Sequence, residues 1–279
     1  MMKKILLPTD FSENSWNAIK YALQLFKDEQ CTFTLLNTYS PIIYDPEYVM
    51  IETMRTQVFD SVRQVSQDEL KKLEDRILNE FKNPNHIFAR LSAYNILALE
   101  VRELQEAENI DCVVMGTKGA SGVKEVLIGS NTVHMFKNAK CPILAIPDNF
   151  SFETPHEILF PSDYEINYQK KHLQPLVDIA SKYHSRINIM HITYGDELTE
   201  KQEVNKQKLE TYFKEIAYLF HSVHNQNITE AIENFQLQSR INLLVMIKNK
   251  HTFFENLFLK KTINQIGFHL NIPFMVIPE

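Results

Sequence analysis

The sequence predicts an α/β fold, laid out twice. Short apolar runs bounded by turn residues alternate with longer amphipathic segments, and the pattern starts again past the middle of the chain. Strand-helix alternation of this kind gives a parallel sheet covered on both faces. Repetition over half a chain means a duplicated domain, and it outranks any single motif. The length of 279 residues suggests about two domains at ~150 residues each, and an apolar content of 44% is enough for real cores.

Each element follows from local pattern. Lys4 to Leu7 reads as a buried strand, left through the turn Pro8-Thr9-Asp10-Phe11-Ser12. Ser12 can cap a helix whose apolar positions Trp16, Ile19, Leu23 and Phe26 keep helical spacing. Phe33 to Asn37 is a second strand, and Tyr39 to Pro46 a loop. A long amphipathic helix follows, with Val58, Val62, Val65, Leu73, Ile77 and Phe81 on one face, and it stops before Pro84. His86 to Leu91 is a third strand and Ile96 to Ala107 a third helix. Cys112 to Met115 is the fourth strand, a helix runs from about Ser130 to Phe136, and Ile143 to Ile146 closes the unit.

Residues 148–155 are polar and contain a proline, and read as a linker. Ile158-Leu159-Phe160-Pro161-Ser162-Asp163 then echoes Ile5-Leu6-Leu7-Pro8-Thr9-Asp10, and Ile110 to Pro147 falls without a gap on Ile241 to Pro278. The predicted domains are residues 1–147 and 156–279. The second is the shorter, its loss lying between the second and third strands.

Composition narrows the function classes. A net charge of −6 argues against a general nucleic-acid or acidic-membrane surface. No apolar run reaches the ~18 residues of a membrane helix, and the run at the start stops at Leu7, too short for a secretory signal. Three cysteines without metal-type spacing read as reduced, structural thiols of a cytoplasmic protein. The ten histidines show no metal-ligand spacing.

The stretch Val113 to Asn131 carries the chemistry. Gly116 and Gly119 follow the fourth strand, and nine residues later Gly129-Ser130 opens a helix. Bare backbone lets a ligand come close, and the N–H groups with the positive end of the helix attract phosphate. In the second copy Gly116 becomes Ile247, Gly119 becomes Lys250, and Gly129-Ser130 becomes Lys260-Lys261. The second copy is therefore expected to keep the fold without the grip. Lys248, Lys250, Lys260 and Lys261 either form a solvated loop or attract an anion.

Both halves resemble the universal stress protein family. The resemblance rests on Pro8-Thr9-Asp10-Phe11-Ser12, on Gly116-x2-Gly119-x9-Gly129-Ser130, and on the closing Cys141-Pro142-Ile143-Leu144-Ala145-Ile146-Pro147. It is strong in the first half and holds by fold pattern in the second. It implies two tandem doubly wound, Rossmann-like domains, each with a five-stranded parallel sheet of order 3-2-1-4-5, and a ligand beyond the carboxyl ends of strands 1 and 4. It further implies ATP, with Mg²⁺, in the first domain alone. The implied contacts are Asp10 toward adenine or ribose, with Pro8 and Thr9 shaping the turn, and Thr38 toward adenine through its backbone. Gly116 and Gly119 would approach ribose and phosphate, Gly129, Ser130 and Asn131 would hold the phosphate tail, and Met115 belongs to the same nucleotide-binding set. Each has a plainer reading: Asp10 or Ser130 as a helix cap, Gly116 and Gly119 as turn glycines.

Three functions stay open at this point: a nucleotide-binding stress or signalling module, a slow ATP-cleaving enzyme, and a ligand-free protein scaffold. No G-x4-G-K-[ST] loop and no nucleophile-base constellation is present to favour the enzyme. The fifth strands, Ile143 to Ile146 and Phe274 to Ile277, are edges in the implied order. Edges need cover, so intramolecular pairing of the domains is expected, and a dimer of chains is left open.

Overall fold

The computed structural model describes residues 2–39, 52–117, 129–138, 140–148, 150–248 and 271–279. The first half runs β1 (Lys3–Pro8), α1 (Glu13–Leu25), β2 (Cys31–Tyr39), α2 (Glu52–Glu80), β3 (His86–Tyr94), α3 (Leu97–Glu108), β4 (Cys112–Gly116), α4 (Ser130–Asn138) and β5 (Ile143–Ile146). The second runs β6 (Glu157–Pro161), α5 (Lys170–Tyr183), β7 (Arg186–Thr193), α6 (Glu200–Phe213), β8 (Ala217–His224), α7 (Ile228–Ser239), β9 (Leu243–Lys248) and β10 (Phe274–Pro278). The spacing that lays Ile110 on Ile241 also lays α3 on α7, end for end. It lays the left-handed cap Asn109 on the left-handed cap Arg240 as well. The shortening falls where α6, 14 residues, stands for α2, 29 residues.

All ten strands join one sheet in the order β3-β2-β1-β4-β5-β10-β9-β6-β7-β8. Each half therefore has the order 3-2-1-4-5, parallel throughout. The halves join antiparallel, with Phe274 opposite Ala145, Met275 opposite Leu144 and Val276 opposite Ile143. Alternate strand residues feed two continuous cores. Ile5, Leu7, Val114 and Leu144 point to the α1/α2/α5/α6 face, and Leu6, Val113, Ile143 and Ala145 to the α3/α4/α7 face.

Helix α1 starts as the sequence requires: the Ser12 side chain accepts from the Ser15 N–H. Trp16 packs edge-on to Phe81, and Arg76 lies 3.9 Å above its ring centroid. The inward face of α2 differs from the predicted one. Val58 and Val65 are exposed, and the buried positions are Ser66, Leu70, Leu73 and Ile77. A polar residue wins the inward position because it is satisfied there. Ser66 Oγ donates to Asn37 Oδ1 at 2.8 Å and accepts from Ser92 Oγ at 2.8 Å, while Asn37 donates to the Thr9 carbonyl. Residues 148–155 are not a loose tether either. Asn17 holds the Pro147 and Phe150 carbonyls, and the Phe152 ring packs 5.1 Å from that of Tyr21.

Cys31, Cys112 and Cys141 are free and buried. Burial pushes the Cys31 thiol up to about 11 and that of Cys141 up to about 12, and raises Cys112 too. Thiolate is the reactive form. A disulfide-exchange reagent at pH 8 is expected to leave the folded chain unmodified and to titrate three thiols in denaturant; rapid labelling of the native chain would contradict the packing.

Candidate functional site

The site begins at the turn after β1. Thr9 N–H bonds the Leu36 carbonyl, which keeps the turn on the sheet. Thr9 Oγ1 accepts from the Phe11 N–H at 3.0 Å and lies 3.0 Å from Ser15 Oγ. Asp10 Oδ1 accepts from Ser12 at both N–H, 3.1 Å, and hydroxyl, 2.6 Å. Phe11 is thereby held at φ +64°, a left-handed value uncommon outside glycine. The turn aims an exposed Asp10 into the space above β1 and β4.

Strand β4 supplies the second wall. A Cβ on Gly116 would stand 2.9 Å from Asn14 Cγ and Oδ1, so the close approach of α1 to β4 depends on glycine there. Helix α4 closes the third side. Gly129 N–H bonds the Thr117 carbonyl at 2.7 Å, and Thr132 Oγ1 donates to the Gly116 and Thr117 carbonyls at 3.1 and 3.3 Å. Val133 N–H closes the first turn on Gly129. The N–H groups ahead of it belong to the helix start, which has no intrahelical acceptors for them.

A cavity of about 200 Å³ lies between these walls, lined by Pro8, Thr9, Asp10, Thr38, Met115, Gly116, Gly129, Ser130 and Asn131. Nine of the ten residues singled out from the sequence thus share one crevice, at the point where strand order reverses; Gly119 lies outside the described residues. Sequence reasoning missed Ser15, Leu97 and Thr132, which also line it. Ser15 had a local signal, a small residue in the first turn after the switch strand; the other two arrive from α3 and α4 by packing. Asp10 is the one charged side chain among the described residues of the wall. Among the described residues, an anion there would be met by backbone donors and the α4 dipole; Lys118 and Lys124 lie outside them.

A larger cavity, about 450 Å³, lies at the opposite ends of β1 and β4, against α5. Three of its charges, Lys3, Glu29 and Lys182, engage one another. Glu29 is held by Lys3 at 2.7 Å and Lys182 at 2.8 Å, Asp178 accepts from Gln174, and Asp111 accepts from the Lys4 N–H. The two lysines hold the Glu29 carboxyl below its usual range, against the opposing effect of burial. That arrangement fastens the two halves together.

The second half repeats the turn and changes the residues around it. Ser162 Oγ accepts from the Tyr164 N–H, Asp163 Oδ1 accepts from the Glu165 N–H, and Tyr164 has φ +58°. His191 Nδ1, 2.9 Å from the Ser162 carbonyl, takes the part of Asn37, and its ring stacks on that of Tyr164 at 4.7 Å. Tyr168 stands against Ser162 where Ser15 stands against Thr9, and buried Ile247 replaces Gly116. The Asp163 turn shows that the turn role of Asp10 needs no ligand. Lys250, Lys260 and Lys261 lie outside the described residues. Lys248 donates to the Lys137 carbonyl at the end of α4, 2.9 Å away.

Among the described residues no helix is long and apolar enough to cross a membrane, and no group of three or more His, Cys, Asp or Glu is placed to hold a metal ion.

Comparison with known proteins agrees with the fold. A universal stress protein of Methanocaldococcus jannaschii is 29% identical over 148 residues, which span 52% of this chain and 82% of that one. A universal stress protein from Archaeoglobus fulgidus superposes with a TM-score of 0.65 at 17% identity, over 99% of this chain and 96% of that one. A functionally unknown protein from Pseudomonas aeruginosa gives 0.60 at 13%, over 99% and 92%. At these identities the two structures speak for the fold alone. The family model for the universal stress protein family matches residues 1–147, a stretch that holds the Asp10 turn, the Gly116 strand and the α4 start. By that match, and by the crevice these segments build together, the chain belongs to the universal stress protein family.

Proposed function

We propose that the first half binds one adenine nucleotide, ATP with its Mg²⁺, as the switch of a cytoplasmic stress-response module. The observation that carries the reading is convergence. Residues from β1, β2, β4 and the start of α4, picked out before any geometry was known, line one crevice at a topological switch point. At about 200 Å³ the crevice is smaller than the ~300–1,000 Å³ of whole small-molecule sites, so part of the nucleotide would lie outside it. Gly129, Ser130 and Asn131 would present backbone donors to the phosphates, and Gly116 would admit them close to β4. Gly119 belongs to the same proposed set.

The residues fit Mg²⁺ only as a companion of the nucleotide. Mg²⁺ keeps several waters and commonly takes one or two carboxylates plus phosphate oxygens, and Asp10 is the one acid among the described residues of this wall. Bound Mg²⁺ would neutralise phosphate charge; the chain's own part is to hold and orient. Among the described residues lining the crevice there is no Cys, His or Lys, and its one carboxylate, Asp10, is tied to Ser12, which favours a binding module over an enzyme. Residues 156–279 form, in this reading, a degenerate second family domain. It keeps the sheet and pairs with the first domain.

The test is a melting curve with and without nucleotide. A ligand of the native state at 100 times its Kd adds about 2.7 kcal/mol of stability. Saturating Mg²⁺-ATP is expected to raise the Tm by several degrees, and an unchanged Tm at millimolar ATP would refute the reading.

A further inference from the structure

Helix α4 serves both halves of the molecule. Its first residues, Ser130, Asn131 and Thr132, line the crevice, and Thr132 ties it to the end of β4. Its far end is held by the second half. The Phe136 ring meets Phe274 of β10 edge-on at 5.2 Å, both fully buried. Lys248, at the end of β9, donates to the Lys137 carbonyl in the last turn of α4. A cation at a helix C-terminus satisfies a carbonyl that the helix leaves without an internal donor, and it complements the dipole. Lys248 is half-buried, and loss of solvent pushes its pKa below the ordinary lysine value. Its stem therefore lies in the seam, not in open water.

From this placement we infer that Lys248 is a positioning residue for the crevice of the other half: through α4 it sets where the backbone donors of Ser130 and Asn131 stand. The inference rests on the nucleotide reading for its functional meaning, and on the geometry alone for its mechanics. Lys248 occupies the place that Thr117 holds in the first copy, next to Ile247, which stands where the first copy has Gly116. The second copy thus has a use after losing its own grip: it clamps the helix on which the first copy's grip depends. By linkage, nucleotide on the α4 start would in turn tighten the seam at Phe274.

The test uses the full chain in three forms: wild type, Lys248→Met, which keeps the stem and removes the ammonium, and Lys248→Arg, which restores a cation. One arm measures amide exchange at residues 130–134 without nucleotide. Faster exchange in Lys248→Met, with the arginine variant close to wild type and global Tm within about 2 °C, is expected. The other arm is calorimetric titration with Mg²⁺-ATP, where Lys248→Met is expected to bind about three- to tenfold more weakly. Equal exchange at α4 in wild type and Lys248→Met overturns the inference, as does equal ATP affinity in the two. A wild-type chain that binds no ATP refutes the nucleotide reading alone, and the exchange arm then decides between upholding and overturning the clamp.

Discussion

Gly116→Ile, which copies the second half into the first, is expected to abolish nucleotide binding and leave the chain folded. The Cβ alone would meet the Asn14 side chain at 2.9 Å, so the rest of the isoleucine must displace α1 from the crevice wall that Gly116 lines. Two costs follow. Overpacking of this kind destabilises by about 1–3 kcal/mol. A ligand that must approach the strand closely loses its place, and a loss of ~2.7 kcal/mol in binding already means about 100-fold in Kd. Ile247, buried at the matching position of β9, shows that the fold itself accepts isoleucine at the end of this strand. Circular dichroism should therefore look like wild type and the melt should stay single and cooperative, at a Tm lower by several degrees, while titration with Mg²⁺-ATP gives no heat. A variant that binds as tightly as wild type would remove Gly116 from the site.

Phe274→Ala is expected to destabilise the first half, although Phe274 lies in the second. Removing a fully buried phenylalanine typically costs 3–5 kcal/mol, and this ring seals β10 against Phe136 of α4. The single tryptophan, Trp16, sits in α1 of the first half, under Arg76 and beside Phe81. Its fluorescence reports the half that was not mutated. With one sheet crossing the seam and two cores continuous across it, the Trp16 transition in denaturant should move to lower concentration together with the circular dichroism transition. A Trp16 transition that stays in place while the far-UV signal splits into two steps would show halves that unfold independently.

Much of this molecule can be read from local pattern. Lys4 to Leu7, Phe33 to Asn37 and His86 to Leu91 were short by one to three residues at an end, because strand ends are set by the neighbouring strand and not by their own residues. The turn at Thr9-Asp10 and the Ser12 cap are chemistry within a few residues, and they appear as expected. The repeat was visible because the last third of each copy keeps its length, down to the matching left-handed caps at Asn109 and Arg240. What stayed hidden depends on distant partners. Ser66 looks like a surface residue until Asn37 and Ser92 are seen to satisfy it, and Val65 looks like a core residue until the helix is rotated by that choice. Asn14 gives no sign that it will set the limit on Gly116. Lys248 read as part of a charged loop; its bond to the Lys137 carbonyl exists because β9 ends beside α4. The aromatic residues of 148–155 were masked by their polar neighbours, and Phe152 packs on Tyr21 nonetheless.

On this proposal one half of the chain offers a crevice for a nucleotide, and the other, with Ile247 where the first has Gly116, offers none. Isothermal titration of the full chain with Mg²⁺-ATP measures this directly. The account predicts one nucleotide per chain, and none in Gly116→Ile. Two per chain, or one that persists in Gly116→Ile, would contradict it.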